Sequence, residues 1–147
     1  MHNKCYMKYI KKQIKQRLQN LLELERIFMT SVLIVDDAAF IRIQLKQMLE
    51  RNGFEVVGEA ENGKEALEKI IALKPDIITL DITMPEMDGL ECMKEISKLD
   101  VKSAVIMVSA MGQESYVQRA IMSGAKGFIV KPYKEEIVVK NLNKFKA

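Results

Sequence analysis

The sequence predicts an α/β fold in which one parallel sheet of five strands is covered by helices on both faces. From Ser31 onward, short runs of Val, Ile and Leu alternate five times with segments that have the apolar spacing of a helix. The runs are nearly continuous, which is typical of strands buried on both faces and joined by right-handed helical crossovers. One domain accommodates this pattern, because the chain has 147 residues and 48% hydrophobic content.

Five apolar runs, separated by turn residues, mark the strands. The runs VLIV, FEVVGEA, DIITL, AVIMVS and KGFIV predict strands at residues 32–35, 54–60, 76–80, 104–109 and 126–130. Each run is followed by a stretch with helical spacing. We therefore expect five βα units in succession.

Helical spacing fills the intervals after these strands. The apolar face of the first predicted helix consists of Phe40, Ile41, Leu45, Met48 and Leu49. The other helices are expected at residues 61–73, 90–99, 114–122 and 134–145. In the second helix, Asn62 and Glu65 have the spacing of a capping box, in which each side chain binds the backbone N–H of the other residue. The predicted apolar face of that helix consists of Ala66, Leu67, Ile70 and Ile71.

Cysteine, histidine and hydropathy patterns exclude several classes of protein. Cys5 and Cys92 are too few for a disulfide framework, and His2, the only histidine, leaves no zinc ligand set. No apolar run approaches the roughly 20 residues that span a bilayer, and the N-terminus lacks the apolar core of a secretory signal. We expect a soluble protein of the reducing cytoplasm, with no membrane span.

The net charge of +3 is unevenly distributed along the chain. Residues 1–30 contain seven Lys or Arg and two Glu, a charge of +5, so the remainder of the chain carries −2. A basic segment attached to a slightly acidic domain differs from a basic domain. The charge pattern therefore does not favour a nucleic-acid partner.

Polar residues occur at the carboxyl ends of four predicted strands. The first strand is followed by Asp36 and Asp37, the third by Asp81, the fourth ends in Ser109, and the fifth is followed by Lys131. Such ends meet at one edge of a parallel sheet, where ligands bind. Three adjacent carboxylates favour a hard divalent cation such as Mg²⁺, and a lysine and a hydroxyl beside it favour a phosphoryl group. Asp81 is the candidate nucleophile.

Four motifs at these strand ends, VLIVDD, LDITMPEMDG, VSAMG and GFIVKPY, resemble those of receiver domains in two-component response regulators. The resemblance covers about residues 31–146 and is greatest to single-domain chemotaxis regulators of the Gram-positive type. It implies a flavodoxin-like doubly wound sheet with strand order 2-1-3-4-5 and five helices in a single domain. That order comes from the resemblance and not from the sequence pattern.

The resemblance also implies a role for each polar residue of the site. Asp81 would accept the phosphoryl group. Asp37, Asp81 and the main-chain carbonyl of Thr83 would bind Mg²⁺ directly, and Asp36 would bind it through water. Lys131 would contact the phosphoryl oxygens. The chain would then catalyse only its own phosphorylation and dephosphorylation, and we do not expect an enzyme in the ordinary sense.

A second group of residues is implied to respond to phosphorylation. Ser109 would move toward the phosphoryl group, and Phe128 would change rotamer with it. Thr83 and Met111 occupy positions that influence the lifetime of the acyl phosphate in such proteins. Pro132 would follow a cis peptide bond, a conformation that only X-Pro bonds adopt at low cost.

The resemblance implies partners as well. A sensor histidine kinase of the chemotaxis type would donate the phosphoryl group, and a flagellar motor switch protein would bind the phosphorylated monomer. A phosphatase is a further candidate partner. The alternative is a phosphorelay intermediate, which would pass the phosphoryl group to a histidine phosphotransfer domain instead.

The same residues admit interpretations other than a receiver domain. A haloacid dehalogenase-type phosphatase needs a second Asp two residues after the nucleophile, where this chain has Thr83. A nucleotide-binding module would need a glycine-rich phosphate loop, and a histidine kinase a histidine after Ser31; neither is present. A DNA-binding regulator would need an output domain after residue 147. In purely structural roles, Asp37 would cap the following helix and Phe128 would pack in the core.

The first thirty residues form a basic extension, and residues 31–147 are the expected receiver domain. Apolar residues between the basic ones indicate an amphipathic helix, which could contact a membrane, dimerise or bind a partner. The codons of Glu25 and Arg26 can form a purine run like a ribosome-binding site upstream of a start codon at Met29. Our favoured hypothesis is that residues 1–28 are a start-site misassignment.

Overall fold

A computed structural model describes residues 2–146, with the side chain of His2 left out. Met1 and Ala147, the outer ends of the predicted extension and receiver domain, lie outside the described residues. Five strands form one sheet: β1 (Thr30–Val35), β2 (Phe54–Ala60), β3 (Ile77–Asp81), β4 (Ala104–Ser109) and β5 (Gly127–Val130). Their order is β2-β1-β3-β4-β5 and all neighbours are parallel. The predicted parallel sheet and its order are confirmed.

Six helices are present in the described part of the chain. They are α1 (His2–Phe28), α2 (Ala39–Arg51), α3 (Gly63–Leu73), α4 (Gly89–Ser97), α5 (Glu114–Met122) and α6 (Glu135–Asn143). Each of α2 to α6 follows one strand, as the alternating pattern predicted. The remaining helix, α1, lies in the segment that precedes the sheet.

The sheet separates two apolar layers, because successive residues of a strand point to opposite faces. One layer packs the sheet against α3, α4 and α5, and includes Leu33, Leu80 and Met107. The other packs it against α2 and α6, and includes Ile34 and Ile77. All five of these side chains are fully buried. Both faces of the sheet are covered by helices. Polar groups that bind a ligand are therefore expected at the ends of the strands.

The structure corrects two details predicted for α3. Asn62 Oδ1 accepts the N–H of Glu65 at 2.8 Å, but the Glu65 carboxylate reaches the N–H of Glu61 at 3.3 Å rather than that of Asn62. Only half of the capping box is formed. Ile71 is also not on the buried face, since 58% of it is exposed. The buried residues of α3 are Gly63, Ala66 and Ile70, which recur at about the helical period, and Leu67 packs partly against the same core.

The start of β3 differs from the prediction because of one side chain. Asp76, predicted as the first strand residue, uses its Oδ2 to accept the backbone N–H of Ser31 at 2.8 Å and its hydroxyl at 3.1 Å. The Ser31 hydroxyl in turn accepts the N–H of Asp76 at 2.9 Å. This exchange ties the beginnings of β1 and β3 together, and β3 itself begins at Ile77.

The helix α1 is almost entirely exposed. Most of its large apolar side chains are at least half exposed, among them Tyr6, Leu18, Leu22 and Phe28, whereas Ile10 is partly buried. No helix within residues 2–146 combines the length and the apolar character needed to cross a bilayer. Only Met29 separates α1 from β1. The helix therefore contributes little buried surface to the rest of the protein.

Removal of residues 1–28 is expected to leave the stability of the sheet domain nearly unchanged. Exposed residues that make few contacts contribute little to the free energy of unfolding, so the melting temperature should shift by less than about 2 °C. Thermal unfolding of the full chain and of a chain starting at Met29 measures this directly. A decrease of about 5 °C or more in the shorter chain would show that α1 packs on the domain in solution.

Candidate functional site

The carboxyl end of β1 places two aspartates at the upper edge of the sheet. Asp36 is buried, its Oδ1 accepts the N–H of Ala38 at 2.9 Å, and its main-chain carbonyl accepts Nη1 of Arg42 at 2.7 Å. Asp37 is exposed and does not cap α2, whose N-cap is Ala38 without a side-chain hydrogen bond. The structural alternative considered for Asp37 is therefore wrong. Arg42, which orients this turn, was not recognised from the sequence.

Asp81 is the last residue of β3 and only 5% of it is exposed. Asp36, Asp37 and Asp81 each offer a carboxylate oxygen, and these oxygens lie within 4.8 Å of one another. Lys131, directly after β5, reaches the same place: its Nζ lies 3.1 Å from Asp36 Oδ2 and 3.3 Å from Asp81 Oδ2. Three strands thus deliver three carboxylates and one ammonium to one point.

Burial and charge set the ionisation of this cluster. Burial, together with the charge of Asp36, raises the pKa of Asp81 from 3.8 to about 6, although Lys131 opposes the shift. Burial also opposes the charged form of Lys131, but the Asp81 and Asp36 carboxylates outweigh it and raise the pKa of the ammonium. In the protein without a metal, Lys131 is therefore the cation that holds the two buried carboxylates together.

Without Mg²⁺, Asp81→Asn is expected to raise the free energy of unfolding at neutral pH by about 1–2 kcal/mol. The folded carboxyl has a pKa of about 6, above its ordinary value of 3.8. The folded state therefore holds the proton more tightly, and stability falls as pH rises through this interval. The neutral amide avoids that loss. In EDTA, the difference in unfolding free energy between variant and wild type should increase with pH and level off above about pH 7. A difference independent of pH would contradict the assignment.

These side chains fit a divalent cation of the Mg²⁺ type. Carboxylate oxygens are the ligands that hard cations prefer, and three of them lie within 4.8 Å of one another here. The carboxylates of Asp36, Asp37 and Asp81 are the side chains that could hold the ion. The Thr83 side chain is exposed and faces the loop after β4.

The loop after Asp81 depends on a glycine. The N–H of Gly89 donates to the carbonyl of Ile82 at 2.7 Å, which folds the loop back onto the end of β3. A Cβ at Gly89 would lie 2.1 Å from the main-chain oxygen of Asp81 and 2.7 Å from the Cα of Ile82. Only glycine permits this approach of two backbone segments. The loop in turn fixes where the carboxylate of Asp81 stands.

Ser109 and Phe128 lie on neighbouring strands beside this cluster. Ser109 is buried, and its carbonyl accepts the N–H of Lys131 at 2.7 Å. Phe128 is 46% exposed, so it does not pack in the core. The Lys131–Pro132 peptide bond is cis.

A cleft of about 590 Å³ runs beside these two strands and α5. Its walls are mostly apolar and include Ser109, Met111, Val117, Phe128 and Val130. Both Ser109 and Phe128 therefore contribute to the wall of one surface cleft. A change in the position of either side chain would alter the shape of that surface.

Gln113 was not recognised from the sequence as part of the site. Its Oε1 accepts the N–H of Ala110 at 2.7 Å, and its Nε2 donates to Thr83 Oγ1 at 2.8 Å. The amide therefore connects the loop after β4 with the loop after β3. The sequence contains only a partial signal for this residue. Gln113 is the N-cap of α5, and Gln is not among the residues preferred at that position, which indicates that its side chain has another contact.

Comparison with known proteins agrees with this geometry. The sequence profile of the response regulator receiver domain matches residues 32–143. The chain belongs to this family. The four strand-end motifs quoted above lie within the matched region. The resemblance inferred from those motifs is thereby confirmed.

Curated receiver proteins of high identity include chemotaxis regulators. The chemotaxis protein CheY of Thermotoga maritima is 58% identical over 113 residues, which are 77% of this chain and 94% of that protein. CheY of Bacillus subtilis is 56% identical over the same shares of the two chains. This receiver chain is therefore similar to single-domain chemotaxis proteins over almost their whole length.

Solved receiver structures show the same fold. The Borrelia burgdorferi CheY in a CheX-CheY-BeF₃-Mg²⁺ complex has a TM-score of 0.74 and 42% identity, over 78% of this chain and 88% of that one. CheY4 of Vibrio cholerae has a TM-score of 0.74 and 32% identity, over 80% and 98% of the two chains. The receiver fold of this chain is thus shared with chemotaxis proteins.

Proposed function

We propose that this chain is a single-domain response regulator that accepts a phosphoryl group on Asp81 from a sensor histidine kinase. The observation that carries the proposal is the contact of one buried carboxylate with Lys131 inside a cluster of three aspartates. A carboxylate in that setting can act as a nucleophile, because the charge that develops on a phosphoryl group meets an ammonium and a metal site. Asp36 and Asp37 complete the cation site.

The reaction needs little beyond positioning. An ionised Asp81 oxygen attacks the phosphorus of a phosphohistidine, a P–O bond forms, and the P–N bond breaks with its electron pair passing to the imidazole. Lys131 leaves its carboxylate partners to bind phosphoryl oxygen, and Ser109 supplies a hydroxyl donor. Bound Mg²⁺ supplies positive charge to the oxygens of the transferred group. Phosphorylation thus exchanges the internal ion pair for contacts with the new group.

The proposed output is binding to a flagellar motor switch component in chemotaxis. The high identity to two chemotaxis proteins supports this output over others. Movement of Ser109 toward the phosphoryl group and a rotamer change of Phe128 would reshape the adjoining cleft. Two conformations differing at this surface would be redistributed by contacts that the phosphoryl group makes in only one of them.

The affinity for the N-terminal peptide of a flagellar motor switch protein tests this function. It is measured with Mg²⁺, with and without beryllofluoride as a phosphoryl mimic. We expect the mimic to strengthen binding and Asp81→Asn to remove the effect. Asp100→Asn, which changes an exposed carboxylate outside the cluster, is the matched control and should respond to the mimic as the wild type does.

The second candidate function is a phosphorelay intermediate. It would transfer the phosphoryl group from Asp81 to a histidine phosphotransfer domain. This outcome is favoured if the peptide does not bind in either state while Asp81 still accepts a phosphoryl group. Loss of the label from the protein to such a domain would then be the direct measurement.

Further partners and the location are part of the proposal. A phosphatase is also proposed as a partner; a related CheY has been solved in complex with a second protein, CheX, so binding of another protein to such a receiver is observed. We propose that the protein acts as a monomer in the cytoplasm. Residues 31–147 are proposed as the functional receiver domain, with residues 1–28 added by a misassigned start site. N-terminal sequencing of protein from its native source would test this, and a peptide from residues 8–17 would disprove it.

A further inference from the structure

The side chain of Gln113 links two loops close to Asp81: the loop that follows β3 and the loop that follows β4. Its Oε1 accepts the N–H of Ala110 at 2.7 Å and its Nε2 donates to Thr83 Oγ1 at 2.8 Å. Thr83 lies two residues after Asp81, and Ala110 directly follows Ser109. One amide group therefore holds together the segment that carries the acceptor carboxylate and the segment that carries the hydroxyl.

Helix formation does not explain this arrangement. Gln113 is the N-cap of α5, yet it makes no side-chain hydrogen bond to the first turn of that helix. An N-cap side chain ordinarily accepts such a bond, and short residues do so best. Instead, the amide oxygen of Gln113 accepts a hydrogen bond from the loop after β4, and the amide nitrogen donates one to the loop after β3. The bridge is thus a contact between loops and not a helix signal.

We propose that Gln113 is a positioning residue that holds the loop after Ser109 in its unphosphorylated arrangement and thereby lowers the affinity of the site for a phosphoryl group. The inference rests on the proposed function, in which Ser109 moves toward that group. Ser109 and Ala110 share a peptide bond, so this movement displaces the Ala110 N–H from Gln113. Thr83 lies on the opposite loop, and the amide cannot keep both partners.

The position of Ser109 fits this interpretation. Its side chain is buried, and the next N–H along the chain is bound by Gln113. The unphosphorylated arrangement thus holds the Ala110 N–H on Gln113, directly beside the residue that is proposed to move. Contacts made in one conformation only shift the equilibrium toward it. Removal of the bridge should therefore favour the conformation that binds the phosphoryl group.

Gln113→Met tests the proposal, because methionine has nearly the length and volume of glutamine but no amide. With saturating Mg²⁺, we expect beryllofluoride to bind this variant about 3- to 10-fold more tightly than the wild type. The affinity for Mg²⁺ alone should stay within about twofold, since Gln113 contacts the side-chain oxygen of Thr83 and the Ala110 N–H, and neither the three aspartates nor the Thr83 carbonyl that would bind the ion. Titration calorimetry measures both affinities. A residue that only supports the fold would not separate them.

Thr83→Val is the second variant, since it keeps the shape of the side chain and removes only the hydroxyl that Gln113 contacts. It should strengthen beryllofluoride binding by a smaller factor than Gln113→Met. In the double variant the two effects should not multiply, because both changes break the same contact. Gln47→Met is the matched control: it makes the same chemical change at an exposed position of α2, outside the cleft that Ser109 and Phe128 line, and should leave both affinities unchanged.

Several outcomes would overturn the inference. Beryllofluoride affinity in Gln113→Met equal to or weaker than that of the wild type would do so. Effects of Gln113→Met and Thr83→Val that multiply in the double variant would show that the bridge does not carry them. If Gln113→Met does not fold, Thr83→Val alone tests the proposal. An unchanged beryllofluoride affinity of Thr83→Val would then contradict the role proposed for the bridge. A wild-type protein that fails to bind beryllofluoride would instead refute the proposed function.

Discussion

Asp81→Asn is expected to abolish phosphoryl acceptance while leaving the fold intact. The amide is not a nucleophile toward phosphorus, and none of the other carboxylates of the cluster is both buried and placed at the end of β3. Incubation with a small phosphoryl donor such as acetyl phosphate, followed by mass spectrometry, measures the reaction. The wild type should gain the mass of one phosphoryl group, and the variant should gain none.

Two controls make this result specific. Asp100→Asn removes an exposed carboxylate away from the cluster and should be phosphorylated like the wild type. Circular dichroism should show the same helix and strand content in both variants. Phosphorylation retained by Asp81→Asn at a rate near that of the wild type would refute the site assignment. A peptide map would then identify which other aspartate accepts the group.

Gly89→Ala is expected to have the largest effect on stability. The new Cβ would lie 2.1 Å from the main-chain oxygen of Asp81 and 2.7 Å from the Cα of Ile82. Backbone atoms cannot rotate away as the end of a side chain can, so the loop must move and lose the bond between the Gly89 N–H and the Ile82 carbonyl. We expect the free energy of unfolding to fall by about 2–4 kcal/mol. Urea unfolding at neutral pH measures it.

The same substitution should also weaken Mg²⁺ binding, because the displaced loop carries the end of β3 with it. Gly127→Ala is the matched control. Its Cβ would meet only the Cδ1 of Ile106 at 3.4 Å, at the far end of a flexible side chain. That variant should lose less than about 1 kcal/mol of stability. Equal losses in the two variants would show that the close approach at Gly89 has no special importance.

The sheet and most of the candidate site followed from the sequence for a physical reason. Apolar runs define the strands, and the carboxyl ends of parallel strands lie on one edge, so Asp36, Asp81 and Lys131 were expected on the same edge of the sheet. No knowledge of side-chain conformations was needed for that step. The strand order was different in kind, because it came from the resemblance of the motifs and not from the runs themselves.

The remaining features depend on contacts that no local pattern encodes. Asp76 shares three hydrogen bonds with Ser31, 45 positions earlier, and Ile71 is exposed although the apolar spacing of α3 groups it with buried residues. The bridge made by Gln113 joins residues 30 positions apart. Helix periodicity and capping preferences describe neighbours in sequence, and therefore cannot find such pairs.

Cys5 and Cys92 lie in such different environments that thiol labelling can show whether the native protein contains residues 1–28. Cys92 is fully buried in α4, and burial raises its pKa to about 12, so it stays an unreactive thiol. Cys5 is exposed on α1. A maleimide added to the folded protein from its native source would therefore label a chain that includes residues 1–28. A chain that begins at Met29 would take up the label only after unfolding.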